Sequence, residues 1–372
     1  MQFSTIYARV ESLANLTSQR ALIKDAIQMG LYRATAVDLP YLMTDGFITT
    51  VAPYLTGTAS ITNGSTSVTG DTTVWTAAMV GRKIRFGSDT AWYRIASRSS
   101  NTEIVLESAY QGTTDTDATY EIYKDEYRLP ADMDVYKVLK QIQNGLALID
   151  IENTAFDFAL PVPTESGDPK YNILVGSKLD TYSTGTLSGT VNLKILTGSG
   201  TSWTSVEGLG KGSKITIGTN VYVVDTVDSD TQITIYEDIV VTISGGTSYS
   251  ISLDNYVIQF HPYPSEARNI YFKYQRLPFP LIEDEDVPDL PDQWHYILIS
   301  AGLIWAWEVK DKAESKIYET IFGQQVTEMW RRIGYISVSR TYPRANLDEV
   351  ERIRQWQGMR FPDNYGYPIR LR

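Results

Sequence analysis

Apolar and polar positions recur along this chain with two different periods, and the switches between them divide it. Over residues 4–33 the apolar positions return every three or four residues. Ile6, Val10 and Leu13 share one face; Leu22, Ile23, Ala26, Ile27 and Leu31 share another. That spacing predicts two short amphipathic helices, with Ser4 and Ser18 as N-caps. The same period returns near the other end. Pro291 stands where a first helical residue is tolerated, and a helix over 292–309 follows with Trp294, Leu298, Ala301 and Trp305 on one stripe. A second helix, about 312–332, carries Ile317, Tyr318, Ile321, Phe322, Met329 and Trp330. The short turn between the two predicts an antiparallel pair.

Between these ends the period is two, as in strands with one buried face. Tyr93-Arg94-Ile95, Ile104-Val105-Leu106 and Tyr120-Glu121-Ile122 alternate in this way, with Gly, Ser, Thr, Asn and Asp clusters as turns. The pattern occurs twice. Gly57-Thr58, Val68, Gly70 and Trp75 stand 128 residues before Gly185-Thr186, Leu196, Gly198 and Trp203. Tyr93, Ile95, Ile104, Leu106, Tyr120 and Ile122 stand 129 residues before Tyr222, Val224, Ile233, Ile235, Tyr249 and Ile251. The change of offset falls in the middle loops, where the second copy has Gly208-Leu209-Gly210-Lys211-Gly212 and the first only Gly81. Each copy predicts a small β barrel or sandwich, close to the size at which a core just suffices. Matched positions in two copies favour Trp75 and Trp203 as core plugs over sugar-stacking platforms. Outside the copies, residues 126–148 and the stretch to Tyr182 read as strands and turns. Tyr256–Phe260 and Ile270–Tyr274, separated by His261-Pro262-Tyr263-Pro264, read as a hairpin with a longer connection.

These pieces predict an α+β fold in which each β copy is inserted into a surface loop of a helical frame, because long insertions with adjacent ends cost little extra closure entropy. The expected divisions are 1–54 (N-terminal helices), 55–124 (first β module), 125–182 (central strands), 183–253 (second β module), 254–333 (hairpin and helix pair) and 334–372 (tail).

Composition adds three constraints to a chain of 372 residues. It has no cysteine, which excludes disulfides, thiolate metal sites and a Cys nucleophile and fits assembly in a reducing cytoplasm. Its longest apolar run, Tyr296–Trp307, falls short of the roughly 20 residues a membrane helix needs, and its start has no basic stretch leading into an apolar core, so no signal peptide is expected. The net charge of -11 is uneven. From Arg331 to Arg372 there are nine Arg, no Lys and four acids, a net +5, so the rest of the chain carries -16. An arginine-rich tail on an acidic body predicts docking, on protein or on nucleic acid.

The tail repays a closer reading. Asn346-Leu347-Asp348-Glu349 has a capping-box pattern, after which Val350, Ile353 and Trp356 share a helical face. Arg340, Arg344, Arg352, Arg354, Trp356, Arg360, Phe361 and Tyr365 combine arginine with aromatics, the make-up of interface anchors, and also of single-stranded nucleic-acid binders. The alternative is a solvated charged tail. Enzyme chemistry finds little support. His261 and His295 are the two histidines, neither in a metal-ligand spacing, and both read as structural. Gly208–Ser213 lacks both the spacing of a phosphate loop and its following helix. Glu283-Asp284-Glu285-Asp286 with Asp289 reads as solvated and as favouring the helix near Pro291 through its dipole, with cation binding as the alternative. No metal, cofactor or catalytic residue is expected.

The frame resembles the head-to-tail adaptor (connector) proteins of tailed bacteriophages. The resemblance is carried by Thr17–Ile27, which looks like the family's first long helix, and by Tyr127-Arg128-Leu129-Pro130-Ala131-Asp132-Met133, similar to its strand-start motif. Ile258–Pro264 followed by Ile270–Pro278 looks like its central hairpin, and Leu290-Pro291-Asp292-Gln293-Trp294 like the opening of its helix pair. The β copies resemble small barrel modules inserted in many phage structural proteins. The resemblance implies a structural, non-enzymatic virion protein at the head–tail junction. It implies a homo-oligomeric ring, a dodecamer, bound below the portal protein and adjoining tail and nozzle proteins, with genomic DNA passing through without sequence-specific contact. It implies no membrane partner, and a C-terminal segment, here 334–372, that grips the portal. A net-negative lumen would let DNA slide. The competing readings are a virion decoration or host-adsorption protein whose β modules hold glycans, and a cell-wall hydrolase.

Overall fold

The computed structural model describes residues 1–16, 18–37, 39–87, 89, 91–141, 148–151 and 165–333. It is a mixed α+β structure, mostly strands, with four α-helices among the described residues. Helices α1 (Phe3–Ala14) and α2 (Arg20–Ala34) each bury one face, Phe3, Ile6, Tyr7, Val10 and Ala14 on the first and Ile23, Ala26, Ile27, Leu31 and Ala34 on the second, but Leu13 and Leu22, which the spacing placed on those faces, are exposed. They pack against α3 (Tyr296–Lys310), which pairs with α4 (Lys312–Ile333). All four share one core, in which Phe3, Ile6, Val10, Ile27 and Leu31 meet Ile297, Leu298, Leu303, Phe322 and Met329. The helix ends are tied to one another as well. The Trp330 indole donates to Ala34 O at 2.9 Å, and the Lys310 ammonium donates to Asn15 O at 3.0 Å at the C-terminal end of α1.

Three further expectations for the helices need correction. Ser4 lies inside α1, and α2 begins at Arg20; the N-cap residues are Gln2 and Gln19, and neither makes a side-chain cap bond. The first amides of α1, those of Phe3 and Ser4, donate instead to the backbone carbonyls of Asp286 (2.7 Å) and Asp284 (3.0 Å). The acidic turn therefore caps α1, because its backbone carbonyls accept from orphan donors that no side chain reaches. Trp305, placed on the buried stripe, is 40% exposed, while Trp294, Leu298 and Ala301 are buried. Asp292–Trp294 forms a 3₁₀ turn ahead of α3. Leu298 and Trp305 share one face of α3, so the difference is one of position along the helix: cover is continuous over residues 297–303 and thins toward the C-terminal end, where Ile304 and Trp307 are half-buried.

Each repeat forms one antiparallel sheet around its own hydrophobic cluster. In the first copy the strand order is Asp115–Ala118, Thr58–Ile61, Ser67–Asp71, Glu103–Leu106, Tyr93–Ser100, Lys83–Phe86, Tyr120–Tyr123. The second copy repeats it as Ile243–Thr247, Thr186–Gly189, Ile195–Ser199, Gln232–Ile235, Asn220–Ser229, Lys214–Ile217, Ser250–Ser252, with Thr181–Tyr182 added beyond the last. Where that extra strand lies, the first copy has a single bridge, Tyr54 to Ile122. The likeness extends to hydrogen bonds. Trp75 Nε1 donates to the Tyr120 hydroxyl at 3.0 Å, which donates to Thr56 O at 2.5 Å. Trp203 Nε1 donates to the Tyr249 hydroxyl at 2.9 Å, which donates to Thr184 O at 2.7 Å. Both long strands carry register shifts at equivalent places, after Ile95 and Arg98 and after Val224 and Val227. Such irregularities bend a strand, so that one strand can serve both halves of a curled sheet.

The predicted hairpin is not one. Asn255–His261 pairs with Tyr171–Lys178 and Glu126–Arg128 in a four-stranded sheet completed by Ile149–Asp150. Asn269–Arg276 lies between Met43–Thr49 and Met133–Gln141 in a three-stranded sheet. The two segments contribute to one core instead of one ladder: Ile258 and Phe260 pack with Ile270, Phe272 and Tyr274, and with Ile48, Tyr127, Leu129 and Met133. The chain between them is pinned away from a tight turn by Tyr263-Pro264, which pairs with Ser166-Gly167.

Candidate functional site at the module junction

The strand Glu126–Arg128 is the edge of the four-stranded sheet and follows directly on the last strand of the first copy. Its charged residues and their neighbours meet both copies. From the first copy, Lys83 reaches Asp125 at 2.6 Å, with the two side chains 8% and 6% exposed, and Gln259 also donates to that carboxylate at 2.8 Å. Arg94 grips Glu126 through two bonds of 2.7 and 3.2 Å and donates to Gly81 O at 3.0 Å. From the second copy, Glu207 accepts the Lys124 ammonium at 2.5 Å and the Arg128 amide at 3.0 Å. The Arg128 guanidinium donates to Lys178 O and Leu253 O, both at 2.8 Å, and to Asp180 at 3.2 Å, and so closes the two ends of the second copy together. These groups surround a cleft of about 480 Å³ between the copies. Its lining balances Arg82, Arg94, Lys124, Arg128 and Lys178 against Asp125, Glu126, Asp180 and Glu207. Most of these charges are paired with one another, Arg94 with Glu126, Lys124 with Glu207 and Arg128 with Asp180, so they hold protein to protein.

Two aromatic stacks complete the joint. Tyr123 of the first copy stacks on Tyr263 with centroids 4.1 Å apart, and Tyr236 of the second stacks on Phe279 at 5.6 Å. Lys211 and Arg276 lie over the Phe279 ring at 4.1 and 4.8 Å. The glycine-rich loop now has a physical explanation. It leads into the strand Lys214–Ile217 and not into a helix. At Gly208 (φ +83°) a Cβ would stand 2.9 Å from Asn255 and 3.0 Å from Arg128; at Gly212 (φ +89°) it would stand 3.1–3.2 Å from Asp132, largely its backbone. The loop is glycine-rich because its backbone lies against the central strands, with Asn255 Nδ2 bridging Gly208 O (3.0 Å) and Leu129 O (2.8 Å). The extra length of the second copy is thus spent on docking.

Burial alone would raise the Glu126 carboxyl; the Arg94 hydrogen bonds and charge outweigh it and hold that group below the usual carboxylate range. A depressed acid stabilises the folded form above its unfolded pKa, roughly 4.3 for Glu, and loses that contribution as pH falls through its lower folded value. The melting temperature should therefore fall as the pH drops below about 4.3, and Glu126→Gln should flatten that part of the profile. Equal slopes in a calorimetric pH series would show that the Arg94–Glu126 pair adds nothing.

Residues 215–347 match the family described as SU10 adaptor protein. The match starts inside the second copy, runs through Asn255–His261, Asn269–Arg276 and both C-terminal helices, and continues beyond residue 333. The matched part of the chain is of the phage head-to-tail adaptor type. No curated protein matches the chain. The predicted interface residues Arg340, Arg344, Arg352, Arg354, Trp356, Arg360, Phe361 and Tyr365, together with the capping box at 346–349, lie outside the described residues.

The other sequence candidates are placed plainly. Trp75 and Trp203 are 0% and 1% exposed, which leaves no ring face to stack on a sugar. His261 and His295 are buried, and burial lowers both imidazoles. His295 Nε2 stands 2.7 Å from Leu290 O, and His261 Nε2 stands 3.5 Å from Glu165. The acidic turn is engaged by protein groups. Asp284 pairs with Lys24 at 2.9 Å, Asp286 accepts the amides of Ile282 and Glu283, and Asp289 binds Arg276 through two bonds of 2.7 and 3.0 Å. Sequence reasoning missed the junction itself. Its signals were present: the charged run Lys124-Asp125-Glu126 at the end of one copy, Asp180 before the next, and a loop that only one copy carries.

Proposed function

We propose that this chain is one subunit of the ring that joins a tailed phage's head to its tail. In this reading residues 1–54, 125–182 and 254–333 form a continuous frame, 55–124 and 183–253 are modules inserted into it, and 334–372 reach out to the portal. Twelve copies close the ring, tail and nozzle proteins adjoin it, and genomic DNA passes through an acidic lumen without sequence-specific contact. The role is structural and the location is the virion.

The observation that carries the reading is the core shared by α1 and α2 with α3 and α4, which unites the two ends of the chain across both β copies. Chain ends that meet in one core are what a frame holding two insertions requires. The family match over 215–347 supports the same reading from the C-terminal side. The junction described above supports it too, since a load-transmitting subunit needs its modules fixed in orientation. Deleting residues 334–372 should abolish co-sedimentation with purified portal while leaving the far-UV spectrum of residues 1–333 intact. A truncated chain that still binds portal at full strength would remove the tail from the interface.

A further inference from the structure

The duplication supplies an internal control for surface residues. Copies of one fold need apolar side chains at the same buried positions, but nothing in the fold asks for exposed ones. At one tip of the second copy, the hairpin Gly189–Leu196 and the segment after Ile239 come together: Asn192 N donates to Ile239 O at 2.9 Å and Ile239 N to Leu193 O at 3.0 Å. That tip exposes Val191, Leu193, Ile195, Val240 and Val241, with Leu193 51% and the last two 62–63% accessible. The first copy makes the same two bonds, Gly64 N to Tyr110 O and Tyr110 N to Ser65 O. There the equivalent residues are Asn63, Ser65, Ser67, Gln111 and Gly112. The fold is therefore built equally well with a polar tip, and the apolar tip of the second copy serves something else. A contiguous group of exposed apolar side chains marks an interaction surface, as scattered single ones do not.

The asymmetry is reciprocal. At the opposite end of its hairpin the first copy exposes Leu55 (62%) and Val74 (57%). Val74 N is held by the Tyr54 hydroxyl at 2.7 Å, just as Ser202 N is held by Tyr182 at 3.0 Å in the second copy. The second copy has Ser183 and Ser202 at those positions. Each copy thus has one apolar end, and the ends are opposite. Charge fits as well: Lys194, whose ammonium donates to Tyr236 O at 2.7 Å, lies in the second copy's tip and Asp71 lies beside Val74; both are exposed, and among the described residues neither is in an ion pair.

We propose that the Val191/Leu193/Val240/Val241 tip of one chain docks on the Leu55/Val74 end of the first β copy in a second copy of this chain. Two different patches on one rigid subunit make a head-to-tail contact, which repeats until it closes. The proposal rests on the ring reading for that closure only. Because the chain has no cysteine, Val74→Cys with Val240→Cys reports on this contact alone. In rings formed with portal and checked by electron microscopy, mild oxidation should give a ladder of disulfide-linked chains, and mixed single variants should give cross-linked pairs. A second variant takes residues from the first copy: Val191→Asn, Leu193→Ser, Val240→Gln and Val241→Gly. It should keep its melting temperature while association between chains weakens by about tenfold or more. Rings without the ladder, or undiminished association of the polar variant, overturn the contact and leave the ring reading standing. A wild-type chain that forms no ring with portal overturns both.

Discussion

Replacing Trp203 by alanine should melt the second β copy while leaving the four-helix core folded. Trp203 is 1% exposed and is the largest side chain in its cluster; its indole supports the Tyr249 hydroxyl, which is bonded in turn to Thr184 O. Truncating a buried Trp costs about 3–5 kcal/mol. A β unit of this size has a stability on the order of 4–10 kcal/mol, at 0.05–0.15 per residue. The substitution therefore removes between about a third of that stability and all of it. The loss should stay local, because Trp203 belongs to a cluster distinct from that of α1–α4. Hydrogen exchange would read this as lost protection over Thr186–Ser252 with protection retained in Phe3–Ala34 and Tyr296–Ile333. Trp75→Ala should do the same to the first copy, since Trp75 makes the equivalent bond to Tyr120. Global unfolding by either change would mean that the copies are not separate cooperative units.

What the sequence made legible follows from what periodicity encodes. A strong period reports which face of an element is buried. The helices at both ends, the repeat, and Trp75 and Trp203 as core residues were all readable in that way. Periodicity does not report which neighbour covers the face. Ile258 and Phe260 alternate as a strand should, and so do Ile270, Phe272 and Tyr274; that they face each other from two sheets instead of pairing in one is decided by Tyr263-Pro264 and its partner Ser166-Gly167, far away in sequence. The N-caps failed for a related reason. Ser4 has the right chemistry, but the carbonyls of Asp284 and Asp286 arrive from some 280 residues away and fill the same role. Trp305 failed because spacing gives a face but not how far along the helix that face is covered: it shares a face with Leu298 but lies where the cover on α3 thins toward the C-terminal end. The junction was least legible, because Lys83, Arg94, Lys124, Arg128 and Glu207 look like ordinary surface charges until the fold brings them together. The glycine-rich loop was a visible signal pointing to the wrong chemistry: glycines that let backbone approach a phosphate equally let backbone approach another strand.

Lys83→Met tests whether the junction fixes the first copy. Methionine keeps most of the stem that fills the space near Trp92, whose ring the Lys83 ammonium overlies at 4.3 Å, but it leaves the Asp125 carboxylate buried with Gln259 as its remaining side-chain donor. Exposed ion pairs contribute about 0–1 kcal/mol, whereas removing one member of a buried pair costs about 3–5, because the other charge stays desolvated. Exposures of 8% and 6% put this pair in the second class. The variant should lower stability toward the larger figure in a denaturant titration. Adding Asp125→Leu should recover most of the loss, since both charges are then gone and the buried site becomes apolar. Recovery separates the pair from a packing defect at Lys83, which a second substitution would deepen and not repair. A cost below about 1 kcal/mol would mean that water reaches the pair. The orientation of the first copy would then rest on the Tyr123–Tyr263 stack, the Arg94–Glu126 fork and the Lys124–Glu207 pair.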